Sequence, residues 1–266
     1  CIRDRGSIAE YLQQHAEVLQ AYPLEPGDWS EKLAQLPGEM HPGETVFLQD
    51  RPVEVGKRSF GLYHMIEDLS QPGDEEVLIV TPYLIPVGNF LEQLQHATER
   101  GVRARLLTAS LASGDHSAVH AHYKKYRRAI LDTGAELYES HHQPGHVIRS
   151  LADTHPVRSD FVALHPKTAA SDRQRCFIGS LNLDPRAIKI NTENALLINS
   201  APFCSQLADL IEVYFNDENA WHVTLDEKGK PQWTSREGTV HKAPARSSGQ
   251  RVSDFFFRLL PIEKQL

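Results

Sequence analysis

The stretch of the sequence with the densest chemistry covers residues 164–182, LHPKTAASDRQRCFIGSLN. Six residues of types that attack, bind or closely approach phosphate fall within it: His165, Lys167, Asp172, Gly179, Ser180 and Asn182. A neutral imidazole can attack phosphorus, while an ammonium group and an amide can hold the negatively charged oxygens around it. This combination predicts a site for a phosphodiester.

Secondary structure decides whether these groups can meet. His165 and Lys167 are two residues apart, so on an extended strand their side chains face the same side. We expect one short strand at 161–164 that delivers His165 and another at 176–178 that delivers Gly179. Glu193 follows in the segment INTENALLIN, near enough in sequence to return to the same site.

The hydrophobic pattern around this stretch alternates between strands and helices. It predicts strands at 76–81, 102–108, 135–138 and 194–198, and helices at 89–100, 116–133 and 203–215. Since a helical crossover between buried strands implies a parallel pair, we expect an α/β fold with a mixed, mostly parallel sheet flanked by helices on both faces. Residues 1–43 are expected to form an N-terminal helix and linker, and residues 44–266 the main lobe. Ligands of open sheets bind where strands end, which is where Tyr83 lies, although a half-buried structural aromatic is the alternative.

Composition limits the partners. The 266 residues are 40% hydrophobic and carry a net charge of −7, which suits a soluble globular protein and disfavours a broad nucleic-acid-binding surface. Cys1, Cys176 and Cys204 are far apart and odd in number, so they imply no disulfide framework or zinc site and favour a reducing compartment. The longest apolar run is too short to span a bilayer. The histidines within 141–155 lack ligand spacing, so no metal site is expected.

The spacing His-x-Lys, four residues, Asp, six residues, Gly-Ser-x-Asn resembles the HKD motif of the phospholipase D superfamily. The segments TPYLIPV, ERGVRARLLT and GSLNLDPRAIKINTENALLI are similar to the bacterial cardiolipin-synthase branch. The resemblance implies a phospholipase D-like lobe that transfers a phosphatidyl group between phospholipids. The reaction would pass through a phosphohistidine and need neither metal nor cofactor.

The resemblance also implies roles for individual residues. His165 would be the nucleophile, and Glu193 the carboxylate that orients it, with a solvated strand-edge carboxylate as the alternative. Lys167 and Asn182 would bind the phosphate oxygens, and Gly179 and Ser180 would line the substrate site. Asp172 belongs to the catalytic motif but would hold the loop rather than touch substrate. Arg186 would either reach a lipid phosphate or fix its turn by pairing with Asp184 or Glu193.

The expected partners follow from one observation, that the chain contains a single complete HKD motif, since the other His-x-Lys spacing, at His122 and Lys124, lacks the aspartate. Relatives carry two, so the second would come from an N-terminal half preceding Cys1 or from a homodimer, and the chain alone would be inactive. The substrates would be phosphatidylglycerol-like phospholipids at the cytoplasmic face of the bacterial inner membrane, bound peripherally, and no nucleic acid is expected. The apolar residues 255–260 are expected to dock on the domain, with an interfacial helix as the less favoured alternative.

Two other functions fit the same residues. One is a phospholipase D-type phosphodiesterase that hydrolyses a phospholipid or a nucleic-acid backbone. The other is a non-catalytic lobe that binds phosphate.

Overall fold

The computed structural model describes residues 26–50, 75–152 and 159–266. Most of the predicted N-terminal helix and linker lies outside the described residues. The strands are β1 (Glu44–Gln49), β2 (Glu76–Val80), β3 (Arg103–Ala109), β4 (Glu136–Ser140), β5 (Thr168–Ser171), β6 (Arg175–Gly179), β7 (Asn194–Asn199), β8 (Ala220–Leu225), β9 (Pro231–Ser235) and β10 (Gly238–Val240). The helices are α1 (Pro26–Glu39), α2 (Phe90–Glu99), α3 (Ser117–Tyr123), α4 (Arg127–Asp132), α5 (His146–Ala152), α6 (Pro185–Lys189), α7 (Ala201–Phe215) and α8 (Ser248–Arg258).

The ten strands form one mixed sheet in the order β1-β7-β6-β5-β2-β3-β4-β8-β9-β10. The α/β class is confirmed, but the expected mostly parallel pairing is wrong. Among the nine strand pairs in the described residues, only β2 with β3 and β3 with β4 are parallel. Helical crossovers join those strands, whereas short turns such as the one between β5 and β6 can only reverse the chain.

The strand that follows the central histidine is displaced from its predicted position. Residues 161–167 form a loop outside the strands, and the strand is β5, Thr168–Ser171, which pairs with β2 on one side and β6 on the other. The predicted helix at 116–133 is likewise two helices, α3 and α4, because the backbone N–H groups of Lys125 and Tyr126 bond three residues back and tighten the chain into a turn.

The core lies on both faces of the sheet, as predicted. On one face, α7 packs Ile211 against Leu78 and Leu107. On the other face, Leu94 of α2 and Ile130 of α4 belong to a second cluster. No helix of the described residues combines the length and the hydropathy that a membrane span requires.

The expectation of unpaired cysteines is wrong for two of the three. Cys176 of β6 and Cys204 of α7 form a disulfide with a Cα–Cα distance of 5.7 Å across a sequence separation of 28 residues. Packing of α7 on the sheet brings the two side chains together, which their spacing along the chain did not indicate.

Candidate functional site

His165 and Lys167 lie together at the end of the loop that leads into β5. The Nζ atom of Lys167 is 3.3 Å from Nδ1 and 3.4 Å from Nε2 of His165, and it donates to the carbonyl oxygen of His165 at 2.8 Å. His165 is exposed, so its imidazole is open to a ligand. The two groups that were predicted to act on one phosphate therefore converge.

Gly179 ends β6 next to this loop, and Ser180 follows it. The backbone N–H of Gly179 donates to the carbonyl oxygen of Lys167 at 3.1 Å, which ties the two halves of the motif together. A Cβ atom at Gly179 would lie 2.5 Å from the carbonyl oxygen of Asn194, so only glycine permits this approach of β6 and β7.

Glu193 is buried beside Ser180, and the described hydrogen bonds do not join it to His165, the partner that the resemblance implied. Its carboxylate accepts hydrogen bonds from the hydroxyl of Ser180 and from the amide of Asn191, the latter at 3.0 Å. None of the described hydrogen bonds joins Glu193 to His165. The carboxylate instead accepts from the Ser180 hydroxyl, so no described contact supports the expectation that it orients His165.

Asn182 lies in a segment held against the end of β2. The backbone N–H of Leu183 donates to the hydroxyl of Thr81 at 3.3 Å, and the N–H of Ile85 donates to the carbonyl oxygen of Leu183 at 2.7 Å. The Oδ1 atom of Asn182 is buried and has no hydrogen-bond partner within the described part of the chain. Buried amide atoms are rarely left unpaired, but an amide oxygen is an acceptor and cannot bind a phosphate oxygen, so the phosphate contact of Asn182 stays a prediction.

Three carboxylates act electrostatically on Lys167, and two of them, Asp115 and Asp184, were not among the predicted site residues. Burial lowers the pKa of Lys167 below its ordinary value, and the negative charges of Asp115, Glu193 and Asp184 oppose that shift. Asp115 belongs to the loop that follows β3, and it accepts a hydrogen bond from the hydroxyl of Tyr83 at 2.8 Å. Its position after a parallel strand was the signal that could have found it.

The pKa values of Tyr83 and Asp184 are both raised above their ordinary values. Burial raises the pKa of Tyr83, and the hydrogen bond to Asp115 raises it further. Burial also raises the pKa of Asp184, although this side chain caps α6 by accepting from the N–H of Ala187 at 2.8 Å. Tyr83 thus lies beside the site in a hydrogen bond that fixes its ring.

Two predicted site residues, Asp172 and Arg186, contact other parts of the chain. Asp172 is at the opposite end of β5 from Lys167, where its Oδ1 accepts from the N–H groups of Glu75 and Glu76 at 3.0 and 2.9 Å. These contacts fit the expected loop-holding role of Asp172. The guanidinium of Arg186 donates to the carbonyl oxygen of Gln265 at 3.5 Å, and its backbone N–H donates to that of Leu266 at 2.6 Å. It forms none of the described ion pairs with Asp184 or Glu193.

Two apolar clefts meet at His165. One, of about 410 Å³, runs between the motif and α7, and the other, of about 360 Å³, runs between the loop and α5. Both include His165, Pro166 and Tyr214 in their walls. The apolar side chains of the first cleft are Val80, Ile178, Leu207, Leu210 and Ile211. Those of the second are Ile148, Leu151, Val162 and Leu164.

A metal centre is not evident in the described ranges. No three or more His, Cys, Asp or Glu residues there are grouped closely enough to hold a metal ion. Lys167 supplies a positive charge for binding a phosphate at the site.

Comparison with known proteins gives a consistent picture. A family model described as "Cardiolipin synthase, PLD-like domain" matches residues 65–217. Cardiolipin synthase C of Escherichia coli strain K12 is 33% identical over 228 residues, which are 83% of this chain and 48% of that protein. Cardiolipin synthase A of Pseudomonas syringae is 31% identical over 143 residues, covering 54% of this chain and 26% of that protein.

The fold itself is also shared with a solved structure. The crystal structure of phosphatidylserine synthase from Haemophilus influenzae matches 67% of this chain and 39% of that chain, with a TM-score of 0.50 and 16% identity. At this identity the likeness concerns the fold alone. The chain spans about half the length of cardiolipin synthase C and a smaller share of the A-type relative.

Proposed function

Because the chain belongs to the cardiolipin-synthase family of phospholipase D-like domains, we propose that it is one catalytic lobe of a phosphatidyl transferase. The donor and acceptor are phospholipids, with phosphatidylglycerol-like headgroups. The observation that carries the proposal is the meeting of two apolar clefts at the His165–Lys167 pair. A phospholipid presents the same combination, a phosphodiester joined to apolar chains.

The first step is attack by a neutral ring nitrogen of His165 on the phosphorus of the donor. A P–N bond forms, the P–O bond to the donor's headgroup alcohol breaks, and that alcohol leaves with a proton supplied by a second histidine. The negative charge on the non-bridging oxygens grows during this step, and the Lys167 ammonium beside His165 is placed to stabilise it.

The second step reverses the first with a different alcohol. The second histidine removes the proton from the hydroxyl of the acceptor phospholipid, its oxygen attacks phosphorus, and the P–N bond breaks. His165 is thereby restored. Since only one complete HKD motif is in the chain, the second histidine comes from another lobe or from a second copy.

The clefts favour this proposal over cleavage of nucleic acid. Binding of a nucleic-acid backbone draws on many cations and on aromatic platforms for the bases. The walls next to His165 instead carry aliphatic side chains such as Leu207 and Leu210, in a chain with a net charge of −7.

The test compares the full-length native protein with the 266-residue chain. Full-length protein should convert phosphatidylglycerol vesicles to a diphosphatidyl product, and His165→Ala should reduce this at least about 10³-fold, because no nucleophile replaces the imidazole. An acid-labile phosphoprotein should form with labelled donor in the wild type and not in His165→Ala.

Two outcomes would contradict the proposal. One is cleavage of an oligonucleotide faster than turnover of vesicles. The other is unchanged transfer in His165→Ala. Activity of the 266-residue chain as a monomer would overturn the requirement for a second lobe, whereas activity only as a dimer would assign that role to a second copy.

A further inference from the structure

Helix α8 turns its apolar side chains outward. Val252, Phe255 and Phe256 are 55%, 56% and 62% exposed, and Leu259 and Leu260 just beyond the helix are 64% and 46% exposed. These five residues, here called the apolar ridge, correct the expectation that the segment docks on the domain through them. Exposed apolar groups at this density usually mark an interaction surface.

The polar side of the helix is the buried one. Asp254 is 6% exposed, and its carboxylate accepts from Nδ1 of His120 at 2.7 Å and from the ammonium of Lys124. The Nε2 atom of His120 accepts from Arg127 at 2.7 Å, and Arg127 pairs with the fully buried Glu139 at 2.5 Å.

This network prevents the helix from rotating to hide its apolar ridge. Rotation would take Asp254 away from His120 and Lys124 and leave buried charges without partners, which costs far more than exposing a phenyl ring. The N-terminal end is held as well, since the side chain of Gln250 donates to the carbonyl oxygen of Leu111. The ridge is therefore presented rigidly.

The exposed charges of α8 itself all have one sign. Arg251 and Arg258 of α8 are exposed, as is Lys264 further along. Asp254, the one acidic residue of the helix, is buried, and Glu263 is engaged by Lys125 at 2.9 Å. In a chain with a net charge of −7, this apolar and cationic surface is locally complementary to an anionic lipid bilayer.

The N-terminal end of α8 lies next to two loops that carry residues of the site. Gln250 contacts Leu111 in the loop after β3, and the same loop carries Asp115, the partner of Tyr83. The guanidinium of Arg246 lies 3.4 Å from the ring centre of Phe161, in the loop that leads to His165.

We propose that the apolar ridge of α8 inserts into the headgroup region of an anionic phospholipid bilayer and holds the protein there. Insertion is separate from the transfer chemistry, so it can be tested without turnover. Each phenyl ring that moves from water into the bilayer interface should strengthen binding about tenfold.

The experiment measures binding of the full-length protein to vesicles with and without phosphatidylglycerol. The test variant is V252S/F256S, and the matched control is V46S/F47S on the edge strand β1, where the two residues are 53% and 61% exposed. The test variant should bind phosphatidylglycerol vesicles at least about tenfold more weakly, and the control should bind like the wild type. Far-UV circular dichroism establishes that both are folded.

A second measurement reports depth. In Phe256→Trp, bromine atoms on the lipid chains should quench additional indole fluorescence relative to the wild type, and R251Q/R258Q should weaken binding most at low salt. The proposal is overturned if Phe256→Trp is not quenched or if the two double variants bind alike. It is also overturned if V252S/F256S instead dissociates a dimer in lipid-free solution, which would assign the ridge to a second copy of the chain.

Discussion

At the scale of single residues, the fold alters the pKa of Lys167 and fixes the position of its ammonium group, which its sequence neighbours alone do not indicate. Burial removes water from the ammonium group and lowers its pKa, while carboxylates from three separate segments act in the opposite direction. The ammonium also donates to the carbonyl oxygen of His165, so its position is defined before any ligand arrives. A cation held in place loses little entropy when it meets a phosphate.

At Gly179 the neighbouring backbone leaves no room for a side chain. In Gly179→Ala the new Cβ would meet the carbonyl oxygen of Asn194 at 2.5 Å and the Cβ of Ala195 at 2.8 Å. We expect β6 and β7 to separate, with a loss of about 1–3 kcal/mol in the free energy of unfolding measured with urea. Transfer activity should fall as well, because Ser180 and the loop at Lys167 move with the strand.

Gly249→Ala is the control for this prediction. Gly249 lies in the first turn of α8, and a Cβ there would come no closer than 3.8 Å to its nearest neighbour, the hydroxyl of Ser247. Alanine favours a helix more than glycine does, so stability should be unchanged or slightly higher. Equal effects of the two substitutions would show that the contact at Gly179 is not what restricts the position.

At the scale of elements, the hairpin of β5 and β6 connects the site to the rest of the sheet. Asp172 and Arg173 adopt positive φ angles of 48° and 56° in its turn, and Arg173 pairs with Glu76 at 3.0 Å. The turn is thereby fastened to the start of β2. This attachment fixes the register of β5 and therefore the position of Lys167, which immediately precedes the strand.

Asp172 can be tested as an element-holding residue. Asp172→Ala should lower the free energy of unfolding by about 1–3 kcal/mol, because the N–H groups of Glu75 and Glu76 lose their acceptor. Asp172→Asn should restore most of it, since the amide oxygen accepts and asparagine tolerates a positive φ. At a temperature where each variant is folded, kcat should stay within a few fold of wild type. A large drop in kcat without loss of stability would instead place Asp172 in contact with substrate.

At the scale of the whole molecule, residues 263–266 contact two distant parts of the chain. These contacts are here called the C-terminal clasp. Glu263 accepts hydrogen bonds from Tyr126, from Lys125 at 2.9 Å and from His122 at 3.0 Å. Three residues later, the carbonyl oxygen of Leu266 accepts from the backbone of Arg186. The chain end therefore joins α3 and α4 to the turn that follows the motif.

This clasp predicts a dependence of stability on pH. Burial by itself raises the pKa of Glu263, but the hydrogen bonds from Tyr126, His122 and Lys125 outweigh it and lower the pKa from 4.5 to about 2. The carboxylate therefore contributes fully above the ordinary pKa of 4.5 and loses its contribution as the pH falls through that of the folded state. Glu263→Gln should lower the Tm near neutral pH and have a shrinking effect in acid.

Glu227→Gln is the matched charge control for the clasp, because Glu227 is exposed in the turn between β8 and β9. Its Tm should follow that of the wild type at every pH. If the difference between wild type and Glu263→Gln stayed constant from neutral to strongly acidic pH, the carboxylate would not be the group that holds the C-terminus.

The sequence by itself determined the family, the α/β class and the convergence of His165 with Lys167, because these depend on residue types at short fixed spacings. Only the tertiary structure decided the mostly antiparallel pairing, the Cys176–Cys204 disulfide and the arrangement of Asp115 around the site. It also turned Glu193 toward Ser180 and the phenyl rings of α8 toward solvent. Each of those outcomes depends on contacts between segments far apart in the chain, where packing and the burial of charge outweigh any local pattern.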